Sequence, residues 1–142
     1  MNKEERWVYQ YLTIKKYLKN KIKGWSICDF FPLYGFKNIA YYAITEFTEL
    51  ILLDIQGNTN TNTVHLYDTF YSNKEDEYMG YKVGGIEQLL EDYNGNKIDL
   101  IVVCSLVHEC EIISNLISRG IPMEKIVSIA SIIYSVNSES KK

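Results

Sequence analysis

Histidine and cysteine are scarce in this 142-residue chain, and the few present lack the spacing of metal or disulfide sites. His65 and His108 show no metal-ligand spacing with the cysteines. Cys28, Cys104 and Cys110 are an odd number without a C-x-x-C pair, which argues against a disulfide framework and favours a reducing compartment. Cys104 and His108 suggest a nucleophile–base pair, but a cysteine that ends an apolar strand is usually a packing residue. We therefore predict no metal site and no catalytic residues.

Long apolar runs are also missing. No run approaches the roughly 20 apolar residues that a membrane-spanning helix needs. The charged N-terminal sequence MNKEERW lacks the apolar core of a signal peptide. These absences predict a protein without a membrane span, located in the cytoplasm. The 46% hydrophobic content is sufficient for one compact core.

Glycine is absent from the segment that sits where a nucleotide-binding turn is expected. An apolar strand at residues 39–43 runs into a helical stretch where a dinucleotide-binding fingerprint reads G-x-G-x-x-G. Ala43, Thr45 and Thr48 hold the three glycine positions. Thr45 places a branched side chain where a phosphate would lie, and Glu46 puts a negative charge at the helix N-terminus that an anion would use. The sequence predicts a degenerate phosphate site.

Positive charge is concentrated at the N-terminus. Residues 1–23 contain seven Lys or Arg and two Glu, a net charge of +5, whereas the rest of the chain carries −8. A basic helix of this kind either seeks a nucleic acid or an anionic membrane surface, or forms a solvated lysine face docked on an acidic domain. The acidic body argues against nucleic-acid binding. We expect no nucleic-acid partner.

The N-terminal segment, residues 1–24, is predicted to be a basic amphipathic helix. Trp7, Tyr11, Ile14 and Leu18 recur at helical spacing and form one apolar stripe. We expect this stripe to be buried against the domain or against a partner. The helix is therefore the predicted contact for a homo-oligomer or for another protein.

The remainder of the chain alternates strand and helix patterns. Repeats of this kind predict a parallel sheet with helices on both faces, a Rossmann-like three-layer α/β fold over residues 25–134. We expect five parallel strands in the order 3-2-1-4-5, followed by a polar tail at 135–142. The polar stretch 69–81 is predicted as a surface loop. Thr45 and Ser105 are each predicted to cap the helix that follows them, and Gly57 and Gly120 are predicted to end their helices with a left-handed backbone. The predicted strands are residues 39–43, 64–67, 81–83, 98–104 and 125–129.

That strand order predicts a ligand crevice at the carboxyl ends of the first and fourth strands, where the order reverses. The side chains expected around this crevice are Ala43, Thr45, Glu46, Asp68 and Ser105. Asp68 follows the second strand and has two interpretations. It accepts hydrogen bonds from a ribose diol, or it stabilises the turn after its strand.

Several segments, taken in order, resemble a known family: NIAYY at 38–42, a strand ending at Asp68, MGYKVGGIEQL at 79–89, DLIVVC at 99–104 and RGIPMEKIVSI at 119–129. Over about residues 25–129 the chain resembles Rossmann-like domains of bacterial surface-polysaccharide biosynthesis. It is similar to the N-terminal sugar-nucleotide-binding domain of sialic-acid-type acetyltransferases and to glycosyltransferase-associated Rossmann-like domains. The family's turn commonly reads Y-G-x-G-x-x-G, and all three glycines are replaced here.

Two functional hypotheses follow. The first is a noncatalytic or accessory Rossmann-like module linked to polysaccharide or glycan biosynthesis, with no cofactor and no enzymatic activity of its own. The second is a nucleotide, NAD(P) or nucleotide-sugar binding domain of a sugar-modifying enzyme, with Thr45, Asp68 and Ser105 around the crevice.

Overall fold

A computed structural model of the chain describes residues 2–58, 61–69 and 77–136. In these ranges the chain forms a mixed α/β fold with a mostly parallel central sheet, which confirms the predicted fold class at this level. The helices are α1 (Lys3–Ile22), α2 (Glu46–Ile55), α3 (Ile86–Asn94), α4 (Glu109–Ser118) and α5 (Ile129–Tyr134). The strands are β1 (Asn38–Tyr42), β2 (Asn62–Tyr67), β3 (Glu77–Tyr78), β4 (Tyr81–Gly84), β5 (Leu100–Val103) and β6 (Ile126–Ser128).

The strands lie side by side in the order β3-β4-β2-β1-β5-β6. All neighbouring pairs are parallel except β3 and β4. β1 and β5 lie in the interior of the sheet, where Tyr42 is in register with Val103. Every residue of β5 is buried, because a central parallel strand is covered on both faces. This burial explains the continuous apolar run that marks this strand in the sequence.

One strand differs from the prediction. The polar stretch 69–81 was expected to be a loop, but Glu77–Tyr78 pairs antiparallel with the start of β4. Met79 and Gly80 connect the two strands, and both have positive φ angles of 52° and 87°. Two-residue hairpin turns commonly require positive φ. Residues 70–76 of the predicted loop lie outside the described residues.

Alternating side chains of the sheet face two separate apolar cores. Ile39 and Tyr41 of β1 belong to the core that contains buried residues of α2 and α5. Ala40 and Tyr42 belong to the opposite core, which contains buried residues of α3 and α4. The sheet is therefore the middle layer of three, since successive strand residues point to opposite faces.

Some helices begin or end where the sequence predicts, and others do not. Gly57, after α2, and Gly120, after α4, have the predicted left-handed backbone, with φ angles of 77° and 99°. The fourth helix begins at Glu109, so the prediction that Ser105 caps it directly was wrong. α5 was not predicted as a helix, because its six residues are too short for a periodic pattern.

The side of α1 that is buried differs from the predicted one, although Ile14 of the predicted stripe packs against the core together with Tyr17. Trp7, Tyr11 and Leu18, expected to be buried, are 65%, 62% and 51% exposed. The buried side chains of α1 are instead Thr13, Tyr17 and Asn20. Each of these side chains has a hydrogen-bond partner, which offsets the cost of burying a polar group. The Thr13 hydroxyl is hydrogen-bonded to the Tyr134 hydroxyl, Tyr17 donates to Asp54, and Asn20 donates to the Ile133 carbonyl. Ile14 is half-buried.

Among the helices of the described ranges, none has the length and apolar character required to cross a membrane. Most of the predicted polar tail, residues 137–142, lies outside the described residues.

Candidate functional site

The predicted crevice lies where the chain leaves β1. The strand β1 has β2 on one side and β5 on the other, so the connections after β1 and β5 diverge at this edge of the sheet. Thr45, Glu46 and Ser105 line a cavity of about 240 Å³ at this position. The structure therefore brings these three predicted site residues together, whereas Ala43 and Asp68 are not among the residues that line the cavity.

The segment 43–48, here called the β1–α2 turn, keeps a glycine-like backbone without glycine. Ala43 has a φ angle of 81°, a left-handed conformation that L-residues rarely adopt. Its N–H donates to the Tyr67 carbonyl at 2.7 Å, and its carbonyl accepts from the Thr48 hydroxyl at 2.7 Å. These bonds hold the alanine in a conformation that would otherwise favour glycine.

Asp68 faces this turn. Its carboxylate accepts a hydrogen bond from the Ile44 N–H at 2.8 Å, and the side chain is almost fully buried. Asp68 thus stabilises the turn after β1, whereas the sequence interpretation concerned the turn after its own strand, β2. The carboxylate therefore takes up the hydrogen bond of a backbone N–H that a phosphate at this turn would otherwise accept.

Thr45 and Thr48 occupy further polar groups of the same turn. The Thr45 hydroxyl donates to the Cys104 carbonyl at 2.8 Å and accepts from the Phe47 N–H at 3.1 Å. The Thr45 N–H donates to the Thr48 hydroxyl at 2.9 Å, which completes a capping box at the start of α2. The predicted capping role of Thr45 is confirmed. With Asp68, these contacts occupy the N–H groups of residues 44, 45 and 47.

Ser105 has a local role at the other wall of the crevice. Its hydroxyl accepts from the His108 N–H at 3.1 Å, one turn before α4 begins. Neighbouring Cys104 is fully buried, and this burial raises the pKa of its thiol to about 12. A thiol in this state is not an activated nucleophile. His108 is exposed, and its Nδ1 lies 3.7 Å from Oε2 of Glu111.

α1 forms the third wall of the crevice, which sequence reasoning missed. Trp7, Gln10 and Ile14 line the same cavity as Thr45 and Ser105. Trp7 and Ile14 belong to the apolar stripe that the sequence predicts to be buried against the domain or a partner, but no pattern shows that this stripe reaches the crevice. The helix narrows the mouth that an open crevice of this fold would offer.

Glu109 fastens the N-terminal half of α1 beside the crevice. The Tyr9 hydroxyl donates to Glu109 Oε1 at 2.7 Å. Within the described part of the chain, the buried Oε2 has no hydrogen-bond partner. Burial raises the pKa of Glu109, although the bond from Tyr9 opposes this effect.

A larger cavity of about 450 Å³ lies at the start of α3. Its lining includes His65, Lys82 and Gln88, together with Gly84 and Gly85. No side chain of the described residues caps the N-terminus of α3. The sequence placed no site here, although the pair Gly84-Gly85 before a helix was a visible signal.

Behind this cavity lies a buried carboxylate, Asp92. It accepts from the Tyr67 hydroxyl at 2.6 Å and from Gln88 at 3.0 Å, and His65 Nδ1 is 3.5 Å away. Burial and this bond to Asp92 raise the pKa of Tyr67. Among the described residues, no group of three His, Cys, Asp or Glu side chains is arranged to hold a metal ion.

Comparison with protein-family models, with curated proteins and with solved structures finds no match for this chain.

Proposed function

We propose that this chain is a noncatalytic, accessory Rossmann-like module in which the usual nucleotide site has been replaced by internal contacts. The observation that carries the proposal is the bonding of the β1–α2 turn. Its amides at residues 44, 45 and 47 donate to the side chains of Asp68, Thr48 and Thr45. In a dinucleotide-binding turn, amides at this position face the pyrophosphate.

The strand arrangement supports the Rossmann-like part of the proposal. The parallel strands follow one another as β4-β2-β1-β5-β6, and counted among themselves this is the order 3-2-1-4-5. The crevice between β1 and β5 is the position at which such folds bind ligands. The link with polysaccharide or glycan biosynthesis rests on the sequence resemblance over residues 25–129.

Charge at the crevice also favours an accessory role. Glu46 stands in the first turn of α2 and lines the cavity. Its carboxylate occupies the positive end of the helix dipole and repels an anionic ligand. Trp7 and Ile14 add apolar surface from α1, so the cavity offers little that a pyrophosphate requires.

Ligand screening tests this proposal. The purified chain is heated with NAD, NADP, UDP-sugars or CMP-sugars, and the melting temperature is measured beside that of a Rossmann protein known to bind NAD. A ligand at 100 times its Kd adds about 2.7 kcal/mol of stability, which is readily detected. We expect no shift with any compound. A saturable shift confirmed by calorimetric titration would contradict the accessory role.

The second candidate function is a nucleotide or nucleotide-sugar binding domain that uses the cavity at α3. The specific observation in its favour is that His65 and Lys82 line this cavity together with Gln88 of α3, a helix that begins after Gly84-Gly85 and has no side-chain cap. Glu87 and Glu91 of α3 line the same cavity and oppose an anionic ligand. A lysine and free helix amides suit a phosphate. If a compound in the screen shifts the melting temperature, Lys82→Ala should abolish the shift, and Glu111→Ala, remote from this cavity, should leave it intact.

A further inference from the structure

The exposed side of α1 carries six of the thirteen large apolar side chains that are exposed among the described residues. It is here called the apolar face of α1 and consists of Trp7, Val8, Tyr11, Leu12, Leu18 and Ile22, all about half exposed or more. On a helical wheel this face lies opposite Thr13, Tyr17 and Asn20, the side chains that dock α1 on the domain. The helix therefore buries Thr13, Tyr17 and Asn20 on one side and exposes large apolar side chains on the other.

The extent of this face is close to that of a protein interface. From the exposed fractions of its six side chains, the apolar face presents roughly 600 Å² per chain. Stable interfaces bury about 800 Å² on each partner, and monomers rarely expose a contiguous apolar patch above a few hundred Å². The face is large enough for an interface at the small end of the range.

We propose that the apolar face of α1 pairs with the same face of a second copy of this chain, with the two helices antiparallel. This inference rests on the proposed accessory role and names its partner. The spacing of the face fits helix pairing, since Val8, Tyr11, Leu18 and Ile22 occupy the core positions of a heptad pattern. The two remaining core positions within α1 hold charged residues, Glu4 in its first turn and Lys15 between Tyr11 and Leu18.

Lys15 selects the antiparallel arrangement. In a parallel pair in register, Lys15 of one copy meets Lys15 of the other, and the two like charges repel. In an antiparallel pair, Lys15 faces Tyr11 of the other copy, where an ammonium over an aromatic ring is favourable. Val8 then faces Leu18, and Glu4 faces Ile22 at each end of the seam. Glu4 and Lys15 are therefore the charged members of the seam, and its other core positions are apolar.

The charges beside the seam select the same arrangement. Glu4 and Glu5 are in the first turn of α1, and Lys19 and Lys21 are in its last turn. Antiparallel pairing brings Glu5 of one copy next to Lys19 of the other, at both ends of a two-fold symmetric interface. In a parallel pair in register, the acidic first turns of the two copies would lie together, and so would their basic last turns.

Sedimentation and light scattering of the full chain, from low to high micromolar concentration, test the pairing. We expect a concentration-dependent dimer of twice the 16.5 kDa chain mass. Leu18→Glu should raise the dissociation constant at least about tenfold, because it would bury an unpaired charge. Leu33→Glu is the matched control, since Leu33 is 77% exposed outside α1 and its substitution should leave the dimer intact.

A charge exchange tests the direction of the helices. Glu5→Lys should weaken the dimer, and the double variant Glu5→Lys with Lys19→Glu should restore it, because each new Glu again meets a new Lys. Circular dichroism checks that α1 is retained in each variant. A wild-type chain that stays monomeric, a dimer unaffected by Leu18→Glu, or a double variant no stronger than Glu5→Lys would overturn the proposal. The ligand screen is independent of these outcomes, so the accessory role fails or survives separately.

Discussion

Each end of α1 is hydrogen-bonded to a carboxylate of the domain, Asp54 near the C-terminal end and Glu109 near the N-terminal end. Asp54 accepts hydrogen bonds from Tyr17, Lys21 and Ser26, at 2.9, 2.8 and 2.7 Å, and from the Ile27 N–H at 3.2 Å. Glu109, by contrast, accepts from Tyr9, and its second oxygen has no partner in the described part of the chain.

The pKa values of the two groups shift in opposite directions. Burial by itself raises the pKa of Asp54, but the hydrogen bonds from Lys21 and its other donors outweigh this effect and lower it. For Glu109 burial dominates, and the pKa is raised. The number of hydrogen-bond donors therefore decides whether the charged form of a buried carboxylate is favoured or disfavoured in the folded chain. α1 is firmly fixed at its C-terminal end and weakly fixed beside the crevice.

Among the substitutions at the two ends of α1, replacing Asp54 should cause the largest loss in the free energy of unfolding. Asp54→Ala removes the acceptor of the Ser26 hydroxyl and the Ile27 N–H, and it leaves the Tyr17 hydroxyl with only the Leu50 carbonyl at 3.4 Å. We therefore expect a loss of about 3 kcal/mol in the free energy of unfolding. Urea denaturation measures it. Lys21→Met is the matched control and should cost less than about 1 kcal/mol, because Lys21 is partly exposed. Equal losses in the two variants would show that the ion pair, and not the set of donors, holds this end.

Removing a single donor gives the next effect. Tyr17→Phe retains the buried ring and removes only the hydroxyl that donates to Asp54. We expect a loss of about 1.5 kcal/mol, the usual range for a hydrogen bond to a charged group. The corresponding change at the other end, Tyr9→Phe, should cost less because Glu109 is the weaker anchor. A larger loss for Tyr9→Phe would reverse the assignment of the two ends.

Asp54 and Glu109 should change the stability of the chain in opposite directions as the pH falls. The folded pKa of Asp54 lies below its unfolded value of about 3.9, so its contribution is present above that pH and is lost as the pH falls through the folded value. The wild-type chain should therefore lose stability below about pH 4. Asp54→Asn should show a shallower decline over the same range in urea titrations at each pH. An identical decline would remove Asp54 as the acid-sensitive group.

Glu109→Gln should have the smallest effect, within about 0.5 kcal/mol at neutral pH. Because the folded pKa of Glu109 is raised, the proton binds more tightly to the folded chain. Its favourable contribution is thus fully present below the unfolded pKa and is lost as the pH rises through the folded value. The variant should lack this rise in stability on mild acidification. A strongly destabilised variant would mean that the charge at Glu109 is needed.

The sequence predicts the features that are set by neighbouring residues. The buried apolar run of β5, the left-handed glycines Gly57 and Gly120, and the cap at Thr45 all depend on local pattern, and each is found in the structure. The three crevice residues that line one cavity follow from the alternation of strands and helices.

The side of α1 that docks could not be predicted in this way. A helical stripe is read from side-chain hydrophobicity, whereas Thr13, Tyr17 and Asn20 are buried because of partners far along the chain. Those partners are Asp54, Tyr134 and the Ile133 carbonyl, at sequence separations of 37, 121 and 113 residues. The third wall of the crevice was missed because the sequence does not show where on the domain α1 docks.

The unequal fastening of α1 has a consequence for motion. Proteins open locally in units whose free energies range from near zero to the global value, and segments with few buried contacts open first. The first turns of α1 expose Trp7 and are tied to α4 through the bond from Tyr9 to Glu109. Amide hydrogen exchange should therefore be faster there than near Tyr17. Solvent then enters the crevice through fraying of one helix end, while the sheet beneath it stays folded.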